Sequence, residues 1–399
     1  MSAPSAASAR PLPTLAVALA LALAAAVSLG LARFSYALLL PPMRTDLGWS
    51  YLTAGAMNTV NAAGYLAGAL AMPWFMRRFG ARRMLLAGGV GAGVLLIGHG
   101  LVSGDAVLYA LRLLTGLASA ATFVAGGLLA ARLASQSADH AAGLVLGIYY
   151  GGTGVGIVLS ALLVPPLSAR LVTHAWQGAW IALGAAALLA TLVTGWATRA
   201  LDAPGTAPTA RSPFEGRRFA CGLVSYFLFG LGYIGYMTFV VTLLREQHLG
   251  DGLITAFYAV LGLAVIGSSW LWAGLLQRHR GGGAMRLLNA LVAVATVLPV
   301  LSAHPVAVFA SGALFGAVFL SVVASTTALV RHNAVPPAWP AGISAFTIVF
   351  AAGQIVGPTL VGWVADGTGG LRGGLACSAA VLLLAALVAW GQRPLKLPA

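Results

Sequence analysis

Two arginines stand inside apolar runs. Arg33 interrupts "SLGLARFSYALLLPP" at residues 28–42, and Arg112 interrupts "VLYALRLLTGLASA" at residues 107–120. A guanidinium cannot shed its proton to escape burial. The acidic residues offer no relief. All eight (Asp46, Asp105, Asp139, Asp202, Glu215, Glu246, Asp251 and Asp366) fall in loops or at the ends of the apolar runs. At 1.5 Å per helical residue, Arg33 lies about 12 Å in from Pro41 and Arg112 about 10 Å in from Asp105, so the two depths agree. Ionisable groups inside such runs are costly and usually functional. Two unpaired guanidiniums facing one cavity would repel each other when it is empty. They would suit an anion, because a guanidinium grips a carboxylate or phosphate through two parallel hydrogen bonds.

Each arginine also has a structural use open to it. Arg112 can bond to main-chain carbonyls of the first helix, or pair with Asp46 at the rim. Arg33 can be paired within the fold or reach towards the interface along its apolar stem. Polar stripes accompany both. Asn58, Asn61 and Tyr65 share one helical face; Thr115, Ser119 and Thr122 share another beside Arg112; Tyr226, Phe229, Tyr233 and Tyr236 form a third. Such stripes either line a path or hold helices together. The candidate substrate-binding set is Arg33, Tyr36, Asn58, Asn61, Arg112, Thr115, Ser119, Tyr149, Tyr150, Tyr233, Tyr236 and Gln354.

Other chemistries find no support. Gly152, Gly154 and Gly156 mimic a nucleotide-binding loop, but that fingerprint needs a strand before it and a helix after it. Here the glycines lie inside an apolar span. There is no phosphate-binding Lys-Ser/Thr loop, no metal-ligand cluster and no Ser/His/Asp set, so neither an enzyme nor a cofactor is expected. Cys221 and Cys377 fall near opposite faces of the topology below and cannot be bridged.

The elements that must hold these residues follow from composition. The 399 residues are 60% hydrophobic and 8% charged, with mean hydropathy +0.93. A soluble domain carries about 25% charged residues. This is an all-α polytopic membrane protein, and its 51 glycines suit closely packed membrane helices. Twelve spans are expected, near 14–40, 51–76, 84–103, 106–132, 141–165, 176–198, 219–244, 252–277, 286–302, 305–330, 340–365 and 373–391. The N-terminal run resembles a secretion signal but is too long for one, and is read as a retained first helix.

Orientation follows from the loops. With the N-terminus inside, sixteen of the 22 basic residues fall in inside segments and four (Arg44, Arg170, Arg245 and Arg372) outside. Inside segments include Arg10, Arg132, Arg211 and Lys396. That asymmetry puts both termini in the cytoplasm. The formal charge of +14 is therefore a topology signal rather than a nucleic-acid surface. Residues 199–218, rich in Pro, Ala, Thr and Arg, read as a cytoplasmic linker between a six-helix bundle at 1–198 and another at 219–399.

A shift of about 201 residues aligns the halves. "GLARFSYALLLPPMRTDLG" at 30–48 faces "GYIGYMTFVVTLLREQHLG" at 232–250, Gly116 faces Gly316, and "YYGGTGVGI" at 149–157 faces "FAAGQIVGP" at 350–358. Gly235 then stands near the place of Arg33, so the charge belongs to one repeat alone. Between the second and third spans, Arg78, Gly80, Arg82 and Arg83 form a basic loop, and Arg112 precedes Gly116 by four residues. On these motifs the chain resembles the major facilitator superfamily (MFS) over essentially its whole length. The loop departs from the family pattern at two places: Arg77 stands where that pattern has aspartate, and Pro73 where it has glycine.

The resemblance implies two pseudo-symmetric six-helix bundles that rock about a central site. It also implies that the first, fourth, seventh and tenth helices line the cavity. The expected function is secondary-active transport of a small polar solute, first an organic anion such as a carboxylate, with a proton or counter-anion as co-substrate. The alternative is a multidrug or metabolite efflux pump with an aromatic cavity. The expected setting is the lipid bilayer of the bacterial inner membrane, as a monomer, with no nucleic-acid partner.

Overall fold

The computed structural model describes residues 13–136, 139–168, 173–201 and 214–395. Arg10, Arg170, Asp202, Arg211, Lys396 and most of the 199–218 connector lie outside them, as does the side chain of Asp139. Among the described residues the chain forms twelve long helices: α1 (Thr14–Leu47), α2 (Tyr51–Phe79), α3 (Ala81–His99), α4 (Asp105–Ser135), α5 (Asp139–Ser168), α6 (Trp176–Ala197), α7 (Ala220–Glu246), α8 (Asp251–Leu271), α9 (Gly283–Leu301), α10 (Pro305–Asn333), α11 (Trp339–Ala365) and α12 (Gly370–Trp390). All but α2 are long and apolar enough to cross a membrane by hydropathy. Helix α2 has the length, with 29 residues, but Asn58, Asn61 and Tyr65 dilute its hydropathy. The architecture is that of an all-α polytopic membrane protein.

Helices α1–α6 pack against one another, and so do α7–α12. The two sets meet along two seams, α2 against α11 and α5 against α8, with α1 also crossing α7. Glycine makes the close approaches. A Cβ on Gly116 would stand 2.1 Å from the Asn61 carbonyl oxygen of α2, and one on Gly316 would stand 2.2 Å from the Leu261 oxygen of α8. Gly152 and Gly156 meet the Ala22 and Ala26 carbonyls of α1, while Gly353 and Gly357 meet those of Phe227 and Leu231 of α7. The same crossings thus recur in both halves, built from the glycines that the repeat aligns.

They also correct the repeat's register. Ala22 corresponds to Phe227 and Ala26 to Leu231, a shift a few residues larger than the one that pairs 30–48 with 232–250. The shift before the wide turn is thus larger than the one that aligns the segments after it. The reason is local. Residues Ala26–Phe34 of α1 form a π-helix, a wider turn in which Ser35 N–H donates to the Gly30 carbonyl at 3.0 Å. After Ala26, α1 runs on to Leu47, whereas α7 stops at Glu246, well short of the equivalent length beyond Leu231. Helix α1 also passes through Pro41 and Pro42, beyond the expected end at residue 40.

The face carrying the α1–α2 turn, here the far face, is closed between the two sets. Asp366, just beyond the end of α11, accepts from the N–H groups of Tyr51 (2.8 Å) and Leu52 (2.9 Å) at the start of α2. Tyr51 also donates its phenol to Glu246 of α7, while its ring lies under Arg44 at 3.8 Å. Deeper in, Thr59 bonds to the Ile355 carbonyl (2.6 Å) and to Thr359 (2.7 Å). Towards the face that carries the chain termini, no comparable packing joins α4 to α10 or α11 among the described residues. Among the described residues, the rim contacts that join the two sets through Asp366 and Tyr51 thus lie on the far face.

Candidate functional site

The π-helical turn sets up the site. Where a helix changes hydrogen-bond register, main-chain carbonyls are left short of donors, and buried carbonyls need them. Two side chains supply them. Arg112 Nη1 of α4 donates to the Ala32 carbonyl at 3.2 Å, and the Tyr258 phenol of α8 donates to that of Phe34 at 2.6 Å. Ser28 pairs with Ser119 of α4 at 2.9 Å, and Gly30 rests on Gly156 of α5. The wide turn is thus fixed by α4, α5 and α8 at once.

Its last turn carries Arg33. The side chain is 3% exposed, and its Nε and Nη2 atoms, both buried, have no hydrogen-bond partner. The guanidinium lies over the ring of Tyr65 of α2 at 5.4 Å. Among the described residues it makes no ion pair. Arg112 is differently placed. Its Nε reaches the Met57 carbonyl at 3.4 Å, Nη1 takes Ala32, and Nη2 meets Asn58 Oδ1 at 3.2 Å. Its guanidinium sits over the ring of Tyr36 at 4.6 Å. All three nitrogens are engaged by the protein, and the residue fastens α4 to α1 and α2. Asp46 is not its partner; that carboxylate bonds to His174 and to Trp176 Nε1 (2.6 Å).

The remaining candidates divide. Asn58 donates to Thr238 of α7 at 2.7 Å, Asn61 to the Arg112 carbonyl at 3.0 Å, and Tyr36 to the Ala54 carbonyl at 2.9 Å. These and Ser119 are bonded within the protein around Arg112. Thr115 is buried with its hydroxyl unpartnered. Tyr236 turns into the second half, bonding to Ser311 at 2.7 Å and stacking on Phe315 at 4.1 Å. Tyr149 donates to the Phe123 carbonyl at 2.6 Å. Tyr233 and Gln354 bond to each other in the middle of the molecule.

Aromatic clusters from both halves come within reach of Arg33 through Tyr65 and Tyr233. On one side stand Tyr65, Phe123 of α4 and Tyr150 of α5, with Phe123 and Tyr150 centroids 6.1 Å apart. Tyr65 is within electrostatic reach of Arg33, Tyr150 and Tyr233. On the other side Phe350 of α11 stacks on Tyr226 (4.6 Å), Phe229 (5.7 Å) and Tyr233 (5.6 Å), and Tyr233 reaches Phe319 at 5.9 Å. Tyr150 keeps 42% of its surface free, and its ring meets Tyr149 edge-on at 5.2 Å. The motif residues lie apart. Gly80 makes the α2–α3 turn at φ 85°, Arg78 and Arg83 are exposed, and Arg82 donates to the Gly195 carbonyl near the end of α6 at 2.8 Å. A cation is favoured there by the helix dipole.

Sequence reasoning did not single out Phe123, Phe319, Phe350 or Tyr258. A phenylalanine in an apolar run carries no signal of its own. Tyr258 lies in a span whose polar face is not evident.

Comparison with known proteins fits this geometry. Residues 25–390 match the family described as "Uncharacterised MFS-type transporter YbfB". Two proteins of Agrobacterium vitis, each named "Putative tartrate transporter", are 25% and 24% identical over 87% of this chain and 86% and 83% of their own. Among solved structures, a bacterial homologue of the human lysosomal transporter Spinster, inward-facing and unoccupied, superposes with a TM-score of 0.72 at 16% identity, covering 94% of this chain and 96% of that one. The nucleoside transporter NupG superposes with a TM-score of 0.71 at 13% identity, over 94% and 98%.

Proposed function

This chain belongs to the MFS-type transporter family, and on that premise we propose that it carries a small organic anion, a carboxylate, by alternating access. The observation that supports this reading is the unsatisfied edge of Arg33. Nε and Nη2 are the adjacent pair that forms the side-on fork with a carboxylate, and here both are buried and unpartnered. A buried donor without an acceptor is unfavourable, more so when charged. A carboxylate arriving from the cavity would satisfy both atoms and neutralise the cation. The names of the Agrobacterium vitis relatives agree in substrate class.

The transporter is proposed to act as a monomer in the inner membrane with both termini cytoplasmic, as the basic loops favour. The far face, where Asp366 and Tyr51 join the two sets, is then the outside. No carboxylate stands at the depth of Arg33 among the described residues, so exchange for a counter-anion needs no further group. Proton coupling would have to use the rim acids Asp46 or Glu246.

Purified protein screened for thermal stabilisation by carboxylates, sugars, amino acids and lipophilic cations tests the reading. Carboxylates should stabilise the wild type and fail with Arg33→Ala. The aromatic walls favour a second reading, efflux of lipophilic compounds. Stabilisation by lipophilic cations alone, indifferent to Arg33→Ala, would establish that one instead.

A further inference from the structure

The shape of the charge around Arg33 narrows the solute further. We infer that the transported species is a monocarboxylate with a flat, unsaturated body (an aryl carboxylate) rather than a hydroxylated diacid; this rests on the anion reading above. Among the described residues, Arg33 is the cation deep in the membrane helices with a wholly unpartnered edge. Arg112, which is equally deep, already spends a bond from each of its three nitrogens on Met57, Ala32 and Asn58 and lies over the Tyr36 ring, so the wholly unpartnered edge belongs to Arg33. A dianion would leave one charge unpaired among rings, whose faces are themselves electronegative. One carboxylate against Arg33 leaves the site neutral.

The walls match the rest of such a solute. Partly free ring surface is presented by Tyr65, Phe123 and Tyr150 from one half and by Phe350 from the other. Tyr65 lies under the Arg33 guanidinium at 5.4 Å, and Tyr233, which stacks on Phe350, is within its electrostatic reach, so a ligand gripped there lies among rings of both halves. A planar body can stack on them, whereas a chain of hydroxyls would bury polar groups with few partners. The Gln354 amide is already turned to Tyr233. The same rings are what a lipophilic-cation pump would show, but a buried guanidinium repels such a solute.

The test is a ranking on the intact wild-type protein in detergent, with benzoate, cyclohexanecarboxylate, succinate, tartrate and tetraphenylphosphonium as probes, read by thermal shift and by calorimetric Kd. Benzoate should bind at least about tenfold more tightly than succinate or tartrate, and more tightly than cyclohexanecarboxylate. Phe350→Leu should weaken benzoate by several-fold and leave the weak binding of succinate unchanged. Arg33→Lys, which keeps the charge and loses the fork, should weaken every carboxylate. If tartrate or succinate binds as tightly as benzoate, and Arg33→Lys weakens it, the aryl inference is overturned while the anion reading stands. If no carboxylate binds, or binding ignores Arg33, the anion reading falls and this inference with it. Because the ranking uses the wild type, a variant that does not fold leaves the test intact.

Discussion

The Asp366 carboxylate should set how long the far face stays shut. It spans the two halves, receiving the N–H groups of Tyr51 at 2.8 Å and Leu52 at 2.9 Å, the first donors of α2. Those donors have no partner within their own helix, and the positive end of the helix dipole adds to the attraction. A hydrogen bond to a charged group contributes about 1.5–3 kcal/mol when sheltered. These two lie at an exposed rim and are screened, so about 1–2 kcal/mol for the pair is the defensible figure. Since the contact exists only while the far face is closed, Asp366→Ala should shift the open-to-closed ratio by about five- to thirtyfold. Spin labels at Ser103 and Ala303, on the far ends of the two halves, would report it by pulsed dipolar spectroscopy in a background with Cys221 and Cys377 replaced by Ser. The expected result is a new, longer distance population, with Asp366→Asn intermediate because it keeps one acceptor oxygen. An unchanged distance distribution in a variant that melts like the wild type would refute the reasoning and leave the closure to Thr59, Asn58 and the packing beneath.

Three further outcomes can be checked by melting. Arg33→Leu should leave the empty protein as stable as the wild type or more so, because it removes an unpaired buried charge, while abolishing stabilisation by any carboxylate. Arg112→Leu should do the opposite, lowering stability by about 3 kcal/mol because the Ala32 and Met57 carbonyls and Asn58 lose their donor; a melting point equal to the wild type would mean those bonds contribute nothing. Gly156→Val would drive a side chain into the Ala26 carbonyl and the Gly30 Cα, 2.4 and 2.8 Å from the new Cβ, and overpacking of this kind costs about 1–3 kcal/mol. Normal yield and melting point for that variant would contradict the close crossing of α1 and α5.

The helices were legible because bilayer thickness imposes a length and an apolar content that few other folds share. Helix α2 shows the limit of that signal. Its own hydropathy is diluted by Asn58, Asn61 and Tyr65, and its place is clear mainly from the spans on either side. Arg33 and Arg112 look alike in the chain, with similar depth, similar surroundings and no acidic neighbour. What separates them is whether carbonyls happen to point at the guanidinium, and that depends on three helices meeting. The π-helical turn was illegible for the same reason, since nothing in "AVSLGLARF" forbids an ordinary helix. Its partners Arg112 and Tyr258 come from distant parts of the chain. For the aromatic residues, sequence gives number and spacing but not which ring keeps a free face.

The α5–α8 seam has a mechanical consequence. Gly154 and Gly262 sit directly against each other's main chain, with a Cβ on either falling 2.3 or 2.9 Å from the opposing carbonyl oxygen, and Gly147 lies flat against Trp270. Meshed side chains act like gear teeth, and must be lifted out of one another before helices can turn. Along this stretch the teeth are few, Ile266 against Gly154 and Val158 and Ile157 against Gly262, and each seats in a shallow glycine notch. The joint therefore behaves as a plain bearing, smooth in rotation yet tight in separation, and resistance to rocking concentrates at the toothed and hydrogen-bonded contacts of the far face.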